Sequence, residues 1–212
     1  MSIADLRREY ARARLDGHEV NPDPIVQFAR WFSQAQEAQV ADPNAMTLAT
    51  ATSDGAPSAR IVLLKGFDES GFVFFSDYRS RKGADLDANR RAALVFYWSE
   101  LERQVRITGE ASRTSSEESE EYFRTRPLGS RLGAWVSHQS QVIPDREVLE
   151  EGLRQVEARF AGGDVPLPQH WGGYRVRPDT IEFWQGRPNR LHDRIQYVRT
   201  KTGGWRLERL AP

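Results

Sequence analysis

Residues 46–76 read MTLATATSDGAPSARIVLLKGFDESGFVFFS, and this stretch decides the fold. MTLATAT (46–52) alternates along the chain with the period of a half-buried strand. SDGAP (53–57) is turn chemistry, and SARIVLLKGF (58–67) reads as a second strand. DESG (68–71) turns the chain again, and FVFFS (72–76) is a third strand. Turns this short join antiparallel neighbours, because a parallel pair needs a crossover of about a dozen residues or more.

Downstream, SRKGADLDANR (80–90) reads as a helix with Ser80 as its N-cap. AALVFYW (92–98) and RQVRITGEASR (103–113) are two more strands. Residues 115–125 open with Ser and carry Glu in the first turns, a helix start. Residues 126–137 are a turn followed by a short helical piece, and 144–160 is the longest helix, with Pro144 near its start. YRVRP, TIEFWQG, RIQYVRT and WRLERL close the chain as short strands. Upstream, 24–40 is an amphipathic helix with Ile25, Phe28, Ala29, Phe32 and Ala35 inward. Residues 3–14 read as a short charged helix whose stripe, Leu6, Tyr10 and Ala13, is too thin to stand alone. It must dock or move. Eight or nine strands with few helices between them predict an α+β, mainly β architecture. An antiparallel barrel or sandwich with helices packed outside fits better than a doubly wound parallel sheet. No repeat, low-complexity segment or long linker divides residues 1–212, so one domain is expected.

The chain has 212 residues, 39% of them hydrophobic, and no cysteine. Disulfides, thiolate metal sites and cysteine nucleophiles are excluded. Thirty basic residues balance thirty acidic ones, which argues against nucleic acid or an anionic membrane as partner. The opening MSIADLRREYARAR has no apolar run and no stretch approaches a transmembrane length, so a cytoplasmic location is expected. Of the thirty basic residues 27 are Arg and 3 are Lys. Lineage bias is the plainer account of the excess; bidentate binding of phosphate or carboxylate is the sharper one.

Three clusters carry possible chemistry. Arg60 and Lys65 bracket an apolar strand, where solvated strand ends are the plainer reading. Ser80-Arg81-Lys82 puts a hydroxyl, two cations and free backbone N–H groups at a helix start, which suits a phosphate; a capped, solvated helix start is equally compatible. Arg190-Leu191-His192-Asp193-Arg194 is a poor core strand. If extended, it places Arg190, His192 and Arg194 on one face, facing an anion or water. A hydrolase triad is disfavoured, because His192 and Asp193 would point oppositely and no GxSxG elbow exists. The four His lack metal-site spacing, so no metal is expected. GxGxxG and P-loop motifs are absent.

The order LRREY (6–10), RIVLLK (60–65), SRKG (80–83), LERQVRITG (101–109), GAWVS-x-QS (133–140), WGGYRV (171–176), IEFWQGRPNRLHDR (181–194) and WRLERLAP (205–212) resembles the pyridoxamine 5′-phosphate oxidase family over nearly the whole chain. EFWQG followed by RLHDR is its most specific part. The resemblance implies an antiparallel split β-barrel that binds FMN and works as a homodimer with FMN at the subunit interface. It implies oxidation of pyridoxamine or pyridoxine 5′-phosphate to pyridoxal 5′-phosphate. Dioxygen is then the acceptor, with hydrogen peroxide and, from the amine, ammonia released.

The same resemblance implies site residues. Arg60, Ile61, Val62, Leu63, Leu64 and Lys65 run along the flavin, and Phe75 and Ser76 end the next strand beside it. Arg81 and Lys82 hold the FMN phosphate, with Gln104, Gln139 and Ser140 as polar contacts and Trp184 and Arg194 at the isoalloxazine. Lys65, Tyr122, Arg126 and Ser130 clamp the substrate phosphate. Arg190 and His192 form the catalytic pair facing the pyridine ring, His192 having the pKa range to take part in proton transfer. Arg7 and Tyr10 lie in an amino-terminal segment, within residues 1–20, that is mobile and closes over the site. Phe75 stands where some members carry Tyr, and His138 replaces a common Lys. Two alternatives stay open: another split-barrel flavoprotein with a different substrate, and a non-catalytic flavin or pyridoxal-phosphate binder.

Overall fold

The computed structural model describes residues 2–3 and 9–212. Nine strands form one antiparallel sheet: β1 (Ala45–Ala51), β2 (Pro57–Leu63), β3 (Gly66–Asp68), β4 (Gly71–Asp77), β5 (Arg91–Trp98), β6 (Arg103–Arg113), β7 (Trp171–Gln185), β8 (Asp193–Arg199) and β9 (Trp205–Arg209). Along the sheet the order is β2-β1-β5-β6-β7-β4-β3, with β8 and β9 continuing from the other end of β7. Five helices accompany it: α1 (Pro24–Glu37), α2 (Arg81–Ala88), α3 (Ser116–Thr125), α4 (Leu128–Val136) and α5 (Glu147–Arg159). The α+β, antiparallel split-barrel expectation holds. Among the described residues, no helix is long and apolar enough to cross a membrane.

Strand β7 organises the molecule. YRVRP and TIEFWQG, read as separate strands, form one strand of 15 residues. It pairs with β6 along its length, with β4 over Trp171–Val176 and with β8 over Thr180–Gln185. Pro178 sits where the β6 register slips, between Thr108/Thr180 and Gly109/Pro178. A bulge is where a strand tolerates proline. Gly109 is required there, since a Cβ would lie 2.0 Å from the Arg177 carbonyl oxygen.

The other corrections are local. The strand expected over 58–67 breaks after Leu63: Leu64 turns into the core, 5% exposed, and its N–H donates to Asn44 O. The helix expected over 24–40 ends at Glu37, and Trp31 rather than Ala29 is buried on its inner face. The helix expected over 144–160 starts at Glu147, beyond Pro144, and with 13 residues it is not the longest, since α1 has 14. Part of the predicted helix 3–14 lies outside the described residues, as does Arg7, but Glu9–Arg14 are non-helical. The stretch 190–194 is not one extended run, because Asn189 and Arg190 have φ of 57° and 61° and β8 starts at Asp193. Arg190 therefore does not share a strand face with His192 and Arg194.

Helix α1 closes one face of the sheet. The Asp23 side chain caps it, and the fully buried Phe28 meets Phe67, Phe72 and Phe96 at ring distances of 4.9–5.1 Å. A second apolar cluster, built on Phe123, Leu132, Ala134, Val165 and Trp171, joins α3 and α4 to the start of β7.

Candidate active site

A cleft of about 540 Å³ opens between β2, the end of β4, α2, α3 and α4. Ile61, Val62, Leu63, Lys65, Phe75, Ser76 and Lys82 line it from one side, and Tyr122, Arg126, Ser130, Gln139 and Trp171 from the other. Its floor is aromatic: Phe75 stacks on Tyr122 (4.0 Å, 16°) and Trp171 (5.5 Å, 10°). Such a stack offers flat surface to a planar ring. Phe75 contributes only its ring to the stack, with no hydroxyl to offer a ligand.

Two cationic centres flank the floor. The first lies at the start of α2, where Ser80 accepts from Gly83 N as the N-cap. Lys82 Nζ reaches Gln139 Oε1 (2.5 Å), Ser76 Oγ (3.1 Å) and Ser80 Oγ (3.1 Å), all neutral oxygens. Burial, and then the nearby Arg60, lower its pKa. Arg60 itself is held by Leu48 O, Thr50 and Ser58 and lies 3.6 Å from the Asp85 carboxylate. Its charge supports this centre from behind rather than lining the cleft. Arg81 and Ser140 are exposed beside it, outside the lining.

The second centre is Arg126, with Lys65 across the Tyr122 ring (Nζ 5.9 Å from its centroid). The Arg126 guanidinium lies 4.5 Å over Trp171. Among the described residues, its Nη1 is buried without a hydrogen-bond partner. Burial lowers its pKa. A buried donor left unmet costs about 1–3 kcal/mol, so this nitrogen could take an anion's oxygen.

The remaining predicted residues gather elsewhere. Gln104, Trp184 and Arg194 form one cross-strand row with Tyr97. The Trp184 ring lies 4.7 Å from His192, and Tyr10 packs edge-on to both, 5.6 Å from Trp184 and 5.8 Å from His192. His192 Nδ1 accepts from Arg187 N–H (3.1 Å), so its neutral form carries the proton on Nε2. Burial, then Arg190, push the His192 pKa below its ordinary value. Arg194 is paired through Nε with Glu182 at 2.8 Å, which raises its pKa. Its charge is therefore largely balanced already.

Sequence reasoning missed Trp171, Glu102, Glu182, Arg187 and the supporting role of Asp193. Trp171 stood in a quoted motif with no role attached. The carboxylates carried no signal of their own: Glu102 and Asp193 each precede an arginine and read as surface, and Glu182 sits singly within a strand.

Fold and cleft together define a split-barrel protein with two separate cationic centres around an aromatic floor. Residues 32–160 match the family model described as pyridoxamine 5′-phosphate oxidase, and residues 171–212 the pyridoxine 5′-phosphate oxidase C-terminal dimerisation region. Pyridoxine/pyridoxamine 5′-phosphate oxidases of Burkholderia thailandensis and Rubrobacter xylanophilus are 59% and 61% identical. The alignments cover 100% and 99% of this chain and 99% and 96% of theirs. PhzG of Burkholderia lata, solved with tetrahydrophenazine-1-carboxylic acid, has a TM-score of 0.87 at 33% identity, covering 93% of this chain and 98% of its own. A pyridoxamine 5′-phosphate oxidase-related, FMN-binding protein of Nostoc punctiforme shares the fold, with a TM-score of 0.70 at 18% identity, over 87% of this chain and 97% of its own. The chain belongs to the pyridoxamine 5′-phosphate oxidase family and is an oxidoreductase.

Proposed function

We propose that this protein oxidises pyridoxamine 5′-phosphate or pyridoxine 5′-phosphate to pyridoxal 5′-phosphate, using FMN as cofactor and dioxygen as terminal acceptor. Hydrogen peroxide is the co-product, and water replaces the amine nitrogen as ammonia leaves. The observation that carries the substrate class is Arg126: a half-buried guanidinium with one buried, unpartnered nitrogen beside a ring stack fits a phosphoester on a planar ring.

The residues fit FMN as well. Lys82, Ser76, Ser80 and Gln139 would hold its phosphate at the start of α2, where the ammonium's hydrogen bonds go to neutral oxygens. The backbone of 60–65 would border its ring, with Gln104, Trp184 and Arg194 as further contacts. When bound, FMN supplies two-electron redox chemistry at a fixed position.

Lys65, Tyr122, Arg126 and Ser130 clamp the substrate phosphate, and Arg190 and His192 face the pyridine. With Nδ1 engaged by Arg187, His192 presents Nε2–H and acts as a donor that orients the substrate's polar group. Two cationic centres match two phosphates. Position, rather than new bonding to protein, is what these residues supply.

The active unit is a homodimer of single-domain protomers. Trp171 and Trp184 lie thirteen residues apart on β7, up to roughly 40 Å along a strand. One small substrate cannot touch both groups within one chain. The outer sheet face bearing Ala45, Thr47, Ile61, Leu63, Val95 and Tyr97 is rich in small and exposed apolar side chains. It suits a second copy that brings its Arg190/His192 group to the cleft.

The test is anaerobic mixing of the FMN-loaded protein with each vitamer phosphate. Bleaching of the flavin bands by pyridoxamine or pyridoxine phosphate, and not by the unphosphorylated vitamers, is expected. The likeness to PhzG favours a tricyclic carboxylate as the second reading. Bleaching by a tetrahydrophenazine carboxylate alone would establish that reading instead.

A further inference from the structure

We infer that Arg187 is a positioning residue that ties the amino-terminal strap, residues 10–15, to the orientation of His192. This inference rests on the proposed placement of His192 beside the substrate.

Arg187 lies in the loop after β7 and makes three connections. Its backbone N–H donates to His192 Nδ1 at 3.1 Å. Its Nη1 donates to Ala13 O at 3.1 Å. Its Nε stands 3.4 Å from Asp193 Oδ2, and that same oxygen accepts from Leu15 N at 3.1 Å. One side chain thus grips the strap directly and again through Asp193, while its own peptide fixes the histidine ring.

The strap's other ties also use its backbone. Glu102, 4% exposed, accepts from Ala11 N (3.0 Å) and Arg12 N (3.1 Å). These bonds set the height of the strap and bring the Tyr10 ring onto Gly186, where a Cβ would lie 2.7 Å from Tyr10 Cγ. Tyr10 then packs edge-on to His192 and Trp184. The histidine is therefore held from two sides, by Arg187 N–H at Nδ1 and by a tyrosine whose seat depends on the Arg187 side chain. Losing the side chain leaves the backbone bond possible but unseats the tyrosine.

The experiment compares wild type, Arg187→Ala and Arg187→Lys, all loaded with FMN. The strap carries Arg12 and Arg14, so limited trypsin digestion reads its seating independently of turnover. Arg187→Ala is expected to speed cleavage after these residues and raise KM for pyridoxamine phosphate by about five- to tenfold, the loss of one partly exposed charged hydrogen bond. FMN retention stays unchanged. Arg187→Lys restores the charge without the fork, and partial rescue of both readouts is expected. Unchanged cleavage in Arg187→Ala overturns the tie to the strap. Faster cleavage with unchanged KM overturns the link to His192. If wild type itself turns over no vitamer phosphate, the functional reading fails, and the digestion still decides whether Arg187 seats the strap.

Discussion

Trp171 and Trp184 stand on one strand, β7, thirteen residues apart, and each anchors a different group of candidate site residues. Trp171 lies under Arg126 at the cleft floor, and Trp184 packs against His192 and Tyr10. A strand is nearly rigid along its axis, so the proposed homodimer is what would bring one protomer's Trp171 group to its partner's Trp184 group.

That relationship predicts complementation. Arg126→Ala and Arg190→Ala each abolish most turnover alone. Unfolded together in equal amounts and refolded, they form mixed dimers in which one of two sites is intact. Activity should return to about a quarter of wild type, the value random pairing in a two-fold dimer gives. No recovery would mean that the groups act within one chain.

Lys82 makes its contacts only with neutral oxygens in the proposed FMN phosphate site. Lys82→Ala should weaken FMN binding by about 1.5–3 kcal/mol, the range for hydrogen bonds to a charged group. Fluorescence titration of the apoprotein with FMN measures this. Unchanged affinity would move the phosphate elsewhere.

His192 titrates below the ordinary histidine value because burial, and then Arg190, disfavour its charged form. The folded chain therefore binds fewer protons there than the unfolded chain. The associated stability is fully present above the ordinary histidine value and declines as pH falls through it toward the depressed one. Protonation also removes the Nδ1 acceptor of Arg187 N–H. Arg190→Ala should move the His192 midpoint upward in an NMR titration of the ring. A midpoint that stays or falls would show that Arg190 does not act on it.

Gly186 leaves room for Tyr10. Gly186→Ala forces the ring away, at about 1–3 kcal/mol if the strap stays seated. The expected outcome is faster tryptic cleavage after Arg12 and Arg14 with little change in melting temperature, since the sheet is untouched. Unaltered digestion would show that the strap accommodates the methyl group.

The sequence by itself determined the antiparallel class, the strand 103–113 with its observed ends, and the caps Ser80 and Ser115. The family resemblance named most of the cleft's lining, Lys65, Phe75, Ser76, Lys82, Tyr122, Arg126, Ser130 and Gln139. The strand and cap features are written in local periodicity, turn chemistry and capping, which act over a few residues, whereas the cleft residues came from the resemblance alone. Only the tertiary structure decided that β7 runs unbroken through Pro178, since ladders on both sides stabilise what proline would locally interrupt. It alone put Leu64 in the core, turned Arg190 off the strand through positive φ, and held Glu9–Arg14 non-helical, their chain docked on Glu102 and Asp193. The seating of Glu9–Arg14 depends on partners about 90 or more residues away, and the continuity of β7 on its neighbouring strands, and no local pattern carries that information.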